Sequence, residues 1–146
     1  MPTSKPSFSA AQATIAALAR PARIDDHGPI AARFLYSLRL IALHERVNRD
    51  PIPELTQRLG SVETAARSLA LAQTVKATWP EDIRIGCYCC QMLTHDEATI
   101  AKMIDCASQR ERAGFEGAVQ GFIRHDRVHR LWDGVLGLIA AEMRSL

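Results

Sequence analysis

Apolar residues recur along this chain with helical spacing far more often than they alternate. In residues 30–48, IAARFLYSLRLIALHERVN, Phe34, Leu38 and Ile41 share an i, i+4, i+7 stripe that the stem of Glu45 continues. Leu35, Tyr36, Leu40 and Leu43 widen it. A helix apolar over that much of its circumference runs through the middle of a bundle or lies in a subunit contact. Pro51 and Pro53 separate it from a short helix over 52–59, which Gly60 closes. Ser61 is placed to cap the next helix, 62–78, which carries Ala65, Leu69 and Ala72 on one side and ends at Trp79-Pro80. Thr94 and Glu97 have capping-box spacing for a helix reaching Gln109, with Ile100, Met103, Ile104 and Ala107 inward. A shorter helix follows over 111–122 (Phe115, Val119, Phe122). The last, over 126–144, has Val128, Leu131, Trp132, Val135, Leu138, Ile139 and Met143 as its packing side.

One stretch changes period. In EDIRIGCYCC, 81–90, Ile83, Ile85, Cys87 and Cys89 alternate with Arg84, Gly86, Tyr88 and Cys90, the signature of extended chain. No second strand-like run is present for it to pair with, so it reads as an ordered linker. Residues 1–9, with two prolines and three serines, read as a flexible N-terminal arm, 10–20 as a short alanine-rich helix, and RIDDHGP (23–29) as a linker. No repeat is present. The fold class expected is all-α: a single-domain bundle of five to seven helices over 10–146, with one extended cysteine-bearing linker.

Composition agrees. At 146 residues the chain suffices for one domain with a real core, and 47% hydrophobic with only 5% aromatic residues, much of it alanine and leucine, suits helices better than sheets. A net charge of +2 is too small to point to nucleic acid, and a nucleic-acid partner is not expected. No apolar run reaches the roughly 18 residues that a membrane span requires. The uncharged run SFSAAQATIAALA, with Lys5 ahead of it, faintly resembles a signal peptide, but Gln12, Thr14 and the alanines make a poor hydrophobic region. The expected setting is therefore cytoplasmic, with reduced thiols.

All four cysteines lie in RIGCYCCQMLTHDEATIAKMIDCA, 84–107, three of them within four positions. Adjacent Cys89 and Cys90 cannot bond to each other without strain. The first expectation is a packed corner, with Cys87 and Cys89 pointing into the core and Cys106 packing on its helix, because cysteine is among the most buried residue types. The alternative is zinc. Cys87 with Cys89 or Cys90 would supply a close thiolate pair, His95 a further ligand, and Cys106, His125 or His129 the remainder. His125 and His129 lie four apart at the start of the last helix, hence on one face. Thiol redox chemistry is a third possibility: Cys90 precedes the capping Thr94 by four residues, where a turn could bring its sulfur to the positive end of a helix. The thioredoxin-like βαβ context is lacking.

Residues 54–69, ELTQRLGSVETAARSL, have a helix–glycine–helix outline in which Arg58, Thr64 and Arg67 would be DNA contacts, though a plain αα-hairpin has the same outline. RHDRVHRLWD, 124–133, reads as the solvated face of an amphipathic helix. Phosphate-loop, dinucleotide, nucleophile-elbow and zincin motifs are absent, and no catalytic set emerges. The function expected from the residues is a non-enzymatic one, by protein–protein contact or self-association through the 30–48 helix. Its alternatives are zinc or thiol chemistry at Cys87, Cys89, Cys90 and His95, and weak DNA binding by 54–69.

Two segments, ARFLYSLRLIA (32–42) and CCQMLTHDEATI (89–100), together resemble a family of small bacterial proteins of uncharacterised function. That family pairs an RLFLFALRR-like helix with a Cys-Cys-Pro-Arg-Met-Thr-x-Asp-Glu segment. Arg33, Phe34, Leu35, Leu38 and Arg39 fit the first, and Cys89, Cys90, Thr94, Asp96 and Glu97 the second, with Gln91-Met92 standing where the family has Pro-Arg. The resemblance covers about a third of the chain. It implies a bacterial cytosolic protein and no particular activity.

Overall fold

Backbone chemistry decides where the helices start and stop. Gly28 caps α1 (Pro29–Arg46), with Pro29 in the first turn, where its missing N–H costs nothing. Asn48 leaves α1 at φ 53°, and the Asp50 carboxylate accepts from the Ile52 amide at 3.0 Å to begin α2 (Ile52–Leu59). Gly60, at φ 80°, ends α2 in the left-handed conformation that glycine adopts freely. The Ser61 hydroxyl then accepts from the Thr64 amide at 3.2 Å and opens α3 (Val62–Thr78). Further on come α4 (His95–Ser108), α5 (Arg112–Val119) and α6 (His125–Arg144).

The computed structural model describes residues 21–146; the N-terminal arm (1–9) and the helix expected at 10–20 lie outside the described residues. Within the described residues the chain is an all-α bundle of six helices plus a 3₁₀ turn at Ile24–Asp26. α1 runs through the middle, against α3 on one side and α4 on another, while α6 lies along α3 and α5 along α4. The apolar face of α1 is thereby used inside the chain. Phe34, Leu35, Leu38, Leu40 and Ile41 are all buried, and its exposed large apolar residues are Leu43 and the flanking Val47. Each such side chain contributes about 1.5–3 kcal/mol by leaving water. Arg33 ties α1 to the far end of α6, its Nε donating to Glu142 at 2.7 Å.

Among the described residues the linker at 81–90 is unpaired, as expected, but just past it Leu93 N donates to Ala22 O at 2.8 Å and Ile24 N to Gln91 O at 3.0 Å, around a single antiparallel bridge between Arg23 and Met92. The partner segment of that bridge, residues 22–24, has no alternating pattern to give it away. Two expectations need correction. The fifth helix stops at Val119 rather than 122, because Gly121 turns the chain at φ 92°, and Phe122 instead sets its ring edge-on to Trp79 at 5.3 Å. Met143, expected on the packing side of α6, is 58% exposed in that helix's last turn.

Candidate functional site

A charged side chain in the middle of an apolar helix face must find a partner or be expelled. Arg39 sits among Leu35, Leu38 and Leu40 on α1, and it and Glu97 of α4 are both wholly inaccessible. The two meet in a bidentate pair: Arg39 Nε donates to Glu97 Oε2 at 2.7 Å and Nη2 to Oε1 at 3.0 Å. The remaining guanidinium donors go to the linker, Nη1 to the carbonyl of Cys90 and Nη2 to that of Met92 at 2.9 Å. The same carboxylate completes the capping box of α4, accepting from Thr94 N at 2.9 Å, while Thr94 Oγ1 accepts from Glu97 N at 3.1 Å. Gly86 passes so close that a Cβ there would lie 2.8 Å from Arg39 Nη2 and 3.1 Å from Glu97 Oε1.

Charge and hydrogen bonding keep the pair ionised. Burial works to raise the Glu97 carboxyl, but the Arg39 side chain, the Thr94 amide and the guanidinium charge outweigh it and hold it below the usual carboxylate range. The hydrogen bonds it donates to Glu97 likewise raise Arg39, against the opposing effect of burial, and the Cys90 and Cys87 sulfurs add to that in the same sense. A fixed cation therefore stands behind the cysteines.

The cysteines occupy a tight turn on this anchor. Cys90 N donates to Cys87 O at 3.1 Å, closing the four-residue turn Cys87-Tyr88-Cys89-Cys90. The packed-corner expectation fails for two of the three. Cys87 and Cys89 are exposed, while Tyr88 packs on the core and Cys90 is half-buried. The alternation begins as expected, with Ile83 and Ile85 inward, and then slips by one residue at Gly86, where the chain passes the guanidinium and the turn begins. Tyr88 rather than Cys87 takes the inward place. The two thiols stand at the two ends of this turn, and Cys90 acts on the Cys87 thiol. Loss of hydration around its sulfur, with the Cys90 thiol beside it, pushes the Cys87 thiol up from its ordinary value.

The other candidate residues are not brought to this turn. Cys106 lies in the last turns of α4, about 16 Å along the helix axis from its start, with its sulfur against Gly114 of α5. Burial, and then the Glu111 carboxylate, push that thiol up. His95 is exposed in the first turn of α4, and His125 and His129 are exposed at the start of α6. Among the described residues, no three His, Cys, Asp or Glu side chains converge as a metal-holding group. The donor set at the turn is the Cys87–Cys90 pair, short of the four ligands that zinc takes in structural sites. In the 54–69 hairpin, Thr64 is fully buried with its hydroxyl 3.2 Å from that of Ser145, and Arg58 is paired with Glu54 at 2.9 Å. The helix expected to read DNA thus turns Thr64 toward α6.

Sequence reasoning assigned Glu97 only a capping role and gave Arg39 none. The signal was present in the run FLYSLRLIAL (34–43), where Arg39 is the one charge inside an otherwise apolar stripe. The two segments that carry the family resemblance meet here, Arg39 of the first holding Cys90 and Glu97 of the second. No helix among the described residues is long and apolar enough to cross a membrane. Comparison of the chain with models of known families, with characterised proteins and with solved structures yields no match.

Proposed function

We propose that this is a dithiol protein of the cytoplasm, in which Cys87 and Cys90 pass between two thiols and one disulfide by exchange with a disulfide partner. The observation that carries the reading is the Cys87–Cys90 turn itself. A β-turn holds its end Cα atoms within about 7 Å, which overlaps the separations of roughly 4.4–6.8 Å that a disulfide spans. The backbone behind Cys90 is pinned by Arg39, which donates to its carbonyl. In the forward direction a thiolate of the pair attacks one sulfur of the partner disulfide, breaking its S–S bond and releasing one thiol. The second thiol of the pair then breaks the mixed disulfide. Two thiol protons and two electrons leave the pair, and the partner disulfide becomes two thiols. Cys89 is exposed between them.

The test uses tryptic cleavage after Arg84 and Lys102, which places Cys87, Cys89 and Cys90 in one peptide without Cys106. After equilibration in a graded thiol–disulfide buffer and alkylation, this peptide is expected to carry one alkyl group, on Cys89, and an internal bond. Three alkyl groups at every potential, or bound zinc with masked thiols in the purified protein, would sink the reading.

A further inference from the structure

A groove of about 280 Å³ opens directly beside the cysteine turn, and Tyr88, the residue between Cys87 and Cys89, forms one of its walls. Tyr36 and Leu40 of α1 and Leu55 of α2 supply apolar surface. Among the described residues, Arg33 and Arg58 supply the only charges in the lining, and both are positive. Their acidic partners stand outside it. Arg58 gives its Nε to Glu54 and lies over the Tyr88 ring at 5.5 Å, while its two Nη groups make no hydrogen bond among the described residues. Arg33 gives Nε and Nη2 to Glu142 and to Leu59 O, which leaves Nη1 without a hydrogen bond among them. The buried Arg39 cation lies behind the same turn. The volume falls just below what small-molecule sites occupy, roughly 300–1,000 Å³, and is too confined for a folded partner. What fits is one arm of a small molecule, its carboxylates against the two guanidinium groups and its body between the aromatic walls.

We infer that the groove docks an anionic low-molecular-weight disulfide and presents its S–S bond to the Cys87–Cys90 pair. This rests on the dithiol reading above and names the oxidant: the docked molecule accepts the two electrons and two protons of the pair and leaves as two anionic thiols. Charge complementarity with the lining selects it over cationic or neutral disulfides.

The experiment compares glutathione disulfide with cystamine, an anionic and a cationic probe, as oxidants of the reduced full-length protein. Formation of the internal 87–90 bond is followed by mass. With glutathione disulfide the rate is expected to saturate; with cystamine it rises linearly. In Arg58→Glu, whose side chain is half exposed and outside the core, the ratio of the two rates is expected to fall at least about tenfold, the equivalent of one lost charge-assisted contact. Unsaturated kinetics with both probes, or an unchanged ratio in Arg58→Glu, would overturn the docking inference while the pair still oxidises. Failure of both probes to form the 87–90 bond would overturn the dithiol reading, and this inference with it.

Discussion

Changing Glu97 to Gln removes one charge from the core and almost nothing else, since the amide is isosteric with the carboxylate. In the native protein Glu97 receives two hydrogen bonds from Arg39 and one from the Thr94 amide, and both members of the ion pair are at 0% exposure. In Glu97→Gln the guanidinium keeps the carbonyls of Cys90 and Met92 and loses its counter-charge. Breaking a buried pair by removing one partner costs about 3–5 kcal/mol. For a chain of this length that corresponds to a Tm lower by on the order of 10 °C. The assay is thermal and urea unfolding by circular dichroism at neutral pH, run beside the double variant Arg39→Met, Glu97→Leu. The double variant removes both charges at similar volume and is expected to recover most of the loss. Its thiols are nonetheless expected to react faster than wild type, because the Cys90 and Met92 carbonyls have lost their donor. The pH dependence has a definite sign. The Glu97 carboxyl is depressed in the folded protein, so its stabilisation is fully present above the ordinary carboxylate value and is lost as pH falls through the folded one. Glu97→Gln should lack this component of acid sensitivity. A Glu97→Gln melt within about 1 kcal/mol of wild type, or a double variant as unstable as the single one, would refute the reasoning that an orphaned buried charge dominates.

Three further outcomes follow from particular contacts. Gly86→Ala places a methyl group 2.8 Å from Arg39 Nη2, which its hydrogen bonds prevent from yielding, and should cost about 1–3 kcal/mol by thermal melt while loosening the turn. Alkylation of Cys87, followed peptide by peptide, should go on accelerating at pH values above the roughly 8.5 where ordinary thiols are half ionised, because desolvation and Cys90 raise it; Cys90→Ser should shift that profile downward. Arg144→Ala, which removes the ion pair with exposed Glu63, should leave the melting temperature unchanged within measurement error, since exposed pairs add little; a clear loss would show that α3 and α6 depend on it.

Much of the fold was legible because helix ends are written in local chemistry. Gly60, Ser61, Pro80 and the Thr94–Glu97 pair act over three or four residues, and the helices at 52–59 and 62–78 lie where those residues place them. The breadth of the apolar stripe on α1 was equally readable. Whether it faced the chain's own core or a partner was not, because that depends on α3 and α4 closing over it. The candidate site was half legible. Three cysteines in four positions marked the loop, but which of them face water is set by the one-residue slip at Gly86, itself imposed by a guanidinium far away in sequence. Arg39 and Glu97 are 58 residues apart, and neither segment alone calls for the other. The bridge from Arg23 to Met92 has the same long-range character.

One carboxylate serves both the first turn of α4 and the anchor of the cysteine turn, and this binds two motions into one. Helix ends ordinarily fray independently of nearby loops, with opening free energies close to zero. Here the amide of Thr94 and the guanidinium of Arg39 share Glu97 as acceptor, and the same guanidinium holds the carbonyl of Cys90. Hydrogen exchange at the start of α4 and around residues 86–92 should therefore report a single cooperative opening, slower than that of the last turn of α6. A disulfide formed between Cys87 and Cys90 would be sensed in the exchange rate of a helix that it does not touch.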